Sequence, residues 1–213
     1  MKTVETEDVK LPVMEHFYTI QGEGYHQGKA SYFIRLGGCD VGCTWCDVKD
    51  SWEAEKHTLW SVNDIVKAVV NSGAKICVIT GGEPMMYNLS GLTLALQKNK
   101  IRTHLETSGA YPLSGKWNWI CVSPKRFKLP LKQCLKAADE LKAIIYHKND
   151  FRFAEEYASE VSAACKLFLQ PEWSKEKVVL HLMIDYIKKR QQWDICFQPH
   201  QYINIPQKNI LSK

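Results

Sequence analysis

Three thiols fall within eight residues at Cys39-Asp40-Val41-Gly42-Cys43-Thr44-Trp45-Cys46, spaced C-x3-C-x2-C. Cysteine thiolates are the usual ligands of iron–sulfur clusters, and three on one tight loop can take three corners of a 4Fe–4S cubane. A full shell needs four ligands, and the next cysteine, Cys77, is distant. One iron is then left open to bind something else. Gly37, Gly38 and Gly42 let the chain wrap close to an inorganic core, because glycine accepts positive φ and has no side chain to clash. The competing chemistries are a structural zinc site, for which His57 would be the fourth ligand, and a redox C-x2-C pair. A second motif, Thr80-Gly81-Gly82-Glu83-Pro84, follows an apolar run. Its glycines free backbone groups to meet a ligand and Glu83 offers a carboxylate to a cation. Alone it reads as an ordinary strand-to-helix turn.

Such residues need elements to hold them. Val13–Ile20 and Tyr32–Leu36 read as strands, with the polar turn Gln21–Gly24 after the first and the cysteine loop directly after the second. Ser61 caps a helix with Asp64 as its partner; Val62, Ile65, Val66, Val69 and Val70 share one face, and Gly73 ends it. Strands follow at 75–80, 101–107, 119–122, 141–146, 167–170 and 195–198, with helices between them over 88–98 and 174–190. In the latter, Val179, Leu182, Met183 and Tyr186 mark the buried face. Alternation of this kind calls for a mainly parallel sheet. The units are too few for a closed eight-fold barrel, which takes about 250 residues, so a partial, open (β/α) barrel in one domain over 1–213 is expected. Ligands of such sheets gather at the carboxyl ends of the strands. Six polar or glycine-rich segments are expected there: Gln21–Gly24, Cys39–Cys46, Thr80–Pro84, Glu106–Gly109, Ser123–Lys125 and Gln170–Trp173.

Composition narrows the class. The chain has 213 residues, 45% hydrophobic and 24% charged, as in ordinary globular proteins. No stretch has the length of a membrane span, and the N-terminus lacks the apolar core of a signal peptide. A cytoplasmic protein with reduced thiols and no membrane contact is therefore expected. The net charge of +5 lies largely in 125–136 and 188–190. No nucleic-acid module accompanies it, so anionic small molecules are the expected targets rather than nucleic acid.

The cysteine spacing matches the signature loop of the radical S-adenosylmethionine (SAM) enzymes, and the GGE motif is similar to their second, SAM-contacting segment. Within that superfamily the segments Tyr18–Gly24, Arg35–Cys39 and Trp45–Asp47, with Thr80–Pro84, Glu106–Gly109, Ser123–Lys125, Leu169–Pro171 and Gln198–Pro206, resemble 7-carboxy-7-deazaguanine synthase along nearly the whole chain. The resemblance implies a homodimer and a lyase that turns 6-carboxy-5,6,7,8-tetrahydropterin into 7-carboxy-7-deazaguanine with loss of ammonia, on the path to queuosine. It implies one 4Fe–4S cluster, SAM used and regenerated as a cofactor, Mg2+, and an electron donor of the flavodoxin or ferredoxin type. The alternatives are another radical SAM enzyme, such as a glycyl-radical activating enzyme with a protein substrate, and a metal-binding module without catalysis.

Carried over by position, Cys39, Cys43 and Cys46 bind the cluster. Trp45, Cys46, Asp47, Gly82, Glu83, Ser123, Pro124, Lys125, Gln170, Pro171, Glu172 and Trp173 resemble the SAM-contacting positions. Ile20, Gln21, Gly22, Glu23, Arg35, Thr80 and Pro206 resemble the substrate-contacting ones. A guanidinium fork at Arg35 suits the substrate carboxylate. Two departures stand out. Where the family often has a hydroxyl ligand for Mg2+, this chain has Val48, and Lys49 beside it is a candidate substitute cation; Asp47 or waters are the other ways to hold the metal. The chain also continues past Pro206 through 207–213, a segment expected to be a frayed tail.

Overall fold

Runs of β-branched and aromatic residues, broken by glycines and capped helices, impose an alternating α/β plan. The structure, a computed structural model, describes residues 9–202, so Pro206 and the tail expected over 207–213 lie outside the described residues. Nine strands are present among them: β1 (Lys10–Ile20), β2 (Ala30–Leu36), β3 (Thr58–Ser61), β4 (Ile76–Gly81), β5 (Arg102–Thr107), β6 (Trp119–Val122), β7 (Glu140–Ile145), β8 (Lys166–Pro171) and β9 (Trp193–Ile195). They make one sheet in the order β3-β1-β2-β4-β5-β6-β7-β8-β9. β2 and β4 to β9 are parallel, while β1 runs antiparallel to both β2 and β3. Helices α1 (Val62–Asn71), α2 (Ser90–Lys98), α3 (Lys132–Ala137), α4 (Asp150–Ala158), α5 (Glu176–Lys189) and α6 (Pro199–Tyr202) complete it. The sheet ends at β3 and β9 without closing, which is the partial barrel that the alternation predicts.

Local chemistry sets the boundaries. The Ser61 hydroxyl accepts the Asp64 N–H at 3.1 Å and donates to Asp64 Oδ2 at 2.8 Å, a reciprocal cap on the first turn of α1. Gly73, at φ +76°, reverses the chain after it. β3 was not expected, because its four residues follow a charged run; it exists by pairing Lys10–Val13 of β1. The final strand differs too. It covers Trp193–Ile195 rather than 195–198, because Trp193 is buried opposite Leu167 and fixes the register, leaving Gln198 beyond the strand.

Alternation then sorts each strand's two faces. Leu36, Ile79, Leu105, Val122, Leu141 and Leu169 point outward into the main core beneath the helices. The alternate positions of the same strands, among them Arg35, Thr80, Glu106, Cys121, Lys142 and Gln170, line the interior. One expectation fails here. Five of the six polar segments follow the carboxyl ends of parallel strands, but Gln21–Gly24 does not. It leaves β1, which runs the other way, and enters the barrel from the amino-terminal end; Tyr25 and His26 pack on Trp119, the first residue of β6.

Candidate active site

The strand ends enclose a cavity of about 290 Å³. Cys39, Cys43 and Cys46 all line it from one loop, and none is in a disulfide. The loop is held from both sides. The Cys39 N–H donates to Trp52 O at 3.1 Å, and Asp40 accepts from Tyr111 Oη at 2.5 Å and Lys128 Nζ at 2.7 Å. The Lys128 and Tyr111 hydrogen bonds hold the Asp40 carboxyl below its usual range. Burial pushes the Cys39 and Cys43 thiols up. Among the described residues no three His, Cys, Asp or Glu side chains converge as a single-ion site. His57 packs its ring where a Gly37 side chain would stand, and its Nε2 is 2.8 Å from Asp50 O, so it is not poised as a fourth zinc ligand. A cubane instead takes each thiolate on a different iron, and three thiols on one cavity wall fit that group.

The glycines have a more specific reason than the expected one. A side chain on Gly82 would meet Gly38 O at 2.2 Å, and one on Gly81 would meet the Leu36 backbone at 2.3 Å. The N–H groups of Gly82 and Glu83 donate to Leu36 O and Gly38 O, both at 2.8 Å. They are therefore spent on joining the two motifs rather than kept for a ligand. Glu83 likewise belongs to the protein. Its carboxylate accepts from the Met85 N–H, the Thr107 hydroxyl, and the N–H and hydroxyl of Ser108, and it is 1% exposed. Its side chain latches the end of β4 to the end of β5, which leaves Gly82 and the backbone to face the cavity.

The floor is built from the inward faces. Gln21 Nε2 donates to Glu106 Oε1 at 2.9 Å, and Thr80 Oγ1 donates to Glu106 Oε2 at 3.1 Å. Glu23 accepts from Lys142 Nζ on Oε2 and from Gln198 Nε2 on Oε1, the latter at 2.8 Å. Burial alone would push the Lys142 ammonium down, yet the Glu23 charge and its neighbours hold it well above the usual lysine range. One layer lower, His104 is buried and its pKa falls to about 3, through desolvation first and then the charges of His26 and Arg102. Arg35 stands on the wall with Nε 2.8 Å from Glu15 Oε1, a pairing off the N–H axis, and Phe17 lies beneath the guanidinium. At the mouth Trp45 stacks on Tyr146, and Trp173 is 44% exposed.

Most positions singled out from the sequence line this cavity. Pro124 and Lys49 are not among its lining residues; the Lys49 ammonium sits 6.0 Å from the Trp52 ring centroid. Glu106, Lys142 and Gln198 line the cavity although no role was assigned to their side chains. Their signal was present. A parallel strand buried on both faces should read as continuously apolar, and Glu-Leu-Lys at 140–142 breaks that rule.

Residues 33–119 match the Radical SAM superfamily. The chain is 50% identical over 196 residues to the 7-carboxy-7-deazaguanine synthase of Flavobacterium psychrophilum, covering 92% of this chain and 93% of the relative. The chain belongs to the 7-carboxy-7-deazaguanine synthase family. The family member from Synechocystis is 43% identical, over 92% of this chain and 94% of its own. The crystal structure of QueE from Escherichia coli superposes with a TM-score of 0.80 at 33% identity, covering 89% of this chain and 94% of that one. Family membership makes this a radical SAM enzyme and implies a 4Fe–4S cluster and SAM.

Proposed function

We propose that this enzyme converts 6-carboxy-5,6,7,8-tetrahydropterin to 7-carboxy-7-deazaguanine with loss of ammonia, in queuosine biosynthesis. One observation carries the reading: a single cavity holds three thiols, a guanidinium, and a floor of two carboxylates. Cluster and SAM, when bound, supply one electron and a carbon radical able to take a hydrogen atom from the substrate. Cys39, Cys43 and Cys46 hold the cluster. The cavity faces of Trp45 to Asp47, Gly82, Ser123, Lys125 and Gln170 to Trp173 hold SAM. Arg35, braced by Glu15, binds the substrate carboxylate by paired N–H donors. Glu23 and Glu106 accept from the ring N–H groups, since an ionised carboxylate only accepts. Phe17 and Phe33 supply apolar wall, and Ile20, Gln21, Gly22 and Thr80 complete the substrate shell.

Val48 lines the cavity but has no side-chain oxygen, so Mg2+ is held through Asp47 and water, and weakly. The active form is a homodimer of one-domain chains, reduced by a flavodoxin- or ferredoxin-type protein. The test is anaerobic turnover of the reconstituted enzyme with SAM, reductant and the pterin, read by mass spectrometry with and without Mg2+. 7-Carboxy-7-deazaguanine should form in both, faster with Mg2+, and Asp47→Asn should erase the difference. SAM cleavage without that product would overturn the substrate assignment.

A further inference from the structure

Lysine is almost never fully buried unless paired, and a buried ion pair adds little stability over apolar residues of the same volume. Lys142 nevertheless stands on the inward face of β7, 6% exposed, between two residues of the main core. Packing does not explain it. Its position does. The ammonium donates to Oε2 of Glu23 while Gln198 Nε2 takes Oε1 at 2.8 Å, so each carboxylate oxygen is tied by its own donor. The Glu23 N–H is held in turn by Gln21 Oε1 at 3.1 Å, and Gln21 by Glu106. The Glu23 carboxylate is thereby turned by two donors, and its backbone is fixed by a third bond. A reduced pterin presents adjacent N–H donors along its 2-amino-4-oxopyrimidine edge. A carboxyl group can accept from two adjacent donors with both its oxygens only when it is ionised and correctly turned.

We propose that Lys142, assisted by Gln198, is a positioning residue that holds the Glu23 carboxylate toward the substrate and so sets the enzyme's preference for a ring edge bearing a 2-amino group. This rests on the pterin reading above. Lys142 acts through Glu23 and takes no part in the radical step.

The experiment compares wild type with Lys142→Met, which keeps the stem and removes the charge, and Lys142→Arg, which keeps the charge. Each reconstituted enzyme is assayed for pterin KM and kcat, for SAM affinity, for the electron paramagnetic resonance signal of the reduced cluster, and for the ratio of kcat/KM between the pterin and its 2-deamino analogue. Lys142→Met should raise the pterin KM about 10- to 100-fold, the worth of a hydrogen bond to a charged group. The preference for the 2-amino substrate should collapse by a similar factor, while SAM affinity and the cluster signal stay within about twofold. Lys142→Arg should restore most of the preference. An unchanged 2-amino preference in Lys142→Met would overturn the inference, as would equal losses for pterin and analogue. If Lys142→Met fails to retain its cluster, Gln198→Leu decides: a smaller loss of the same preference supports the inference, and an unchanged ratio overturns it. Wild-type enzyme that fails to turn over the pterin counts against the substrate assignment instead.

Discussion

The two faces of the same strands differ more than any two separate elements. On β7, Leu141, Ala143 and Ile145 look outward into the apolar core, and Glu140 and Lys142 look inward at charges and hydrogen bonds. β5 divides in the same way: Leu105 packs under the helices, and His104 and Glu106 face inside. The outer face is held by area removed from water, which is non-directional and tolerant of detail. The inner face is held by pairing, which fails all at once when one partner is lost. Stability and recognition are thus separated across the thickness of one sheet, residue by alternate residue.

If that separation holds, single substitutions should report on one face at a time. Leu141→Ala, on the outer face, should cost about 2–5 kcal/mol in urea unfolding and leave SAM affinity unchanged; loss of SAM binding in a folded variant would break the separation. Glu83→Gln attacks the latch between β4 and β5. It should cost about 1.5–3 kcal/mol and loosen cluster retention, seen as a lower iron content after desalting. A loss of SAM affinity at full iron content would mean that the carboxylate meets SAM directly. The inner face should also respond to acid. His104 has a folded pKa of about 3, below its unfolded value near 6.5, so the unfolded state takes up the extra proton between them. Its contribution is full above about pH 6.5 and is lost as pH falls toward about 3, at up to about 1.4 kcal/mol per pH unit. His104→Gln should flatten that slope in denaturation series between about pH 7 and about pH 4. The smallest effect belongs to the helix cap: Ser61→Ala should cost about 1 kcal/mol and leave the 2-amino preference untouched.

Much of this was legible in the residues. The cysteine loop, the cap on α1 and the alternation that builds the sheet depend on neighbours within a few positions, and a chain read in order displays them. The roles of Glu83, Lys142 and the paired glycines were not legible, because each is decided by a partner far along the chain. Glu83 meets Ser108, 25 residues on, and Lys142 meets Glu23 across 119. Gly82 reads as an opening for a ligand until Gly38 O is found where its side chain would go. The direction from which Gln21–Gly24 enters was hidden for the same reason: polarity marks a turn, and only the antiparallel pairing of β1 with β2 shows which end of the barrel the turn fills.

That entry has a consequence for how the molecule is made. The turn is synthesised before the walls that will surround it, and its ties come late: Gly24 N–H to Cys196 Sγ spans 172 residues, and Gln198 to Glu23 spans 175. The cysteine loop and its docking partner at Gly82 are both complete before half the chain has emerged. The thiols of the cluster loop are thus made early, whereas Lys142 and Gln198, which tie down the Glu23 carboxylate, arrive in the second half of the chain, Gln198 after the last strand.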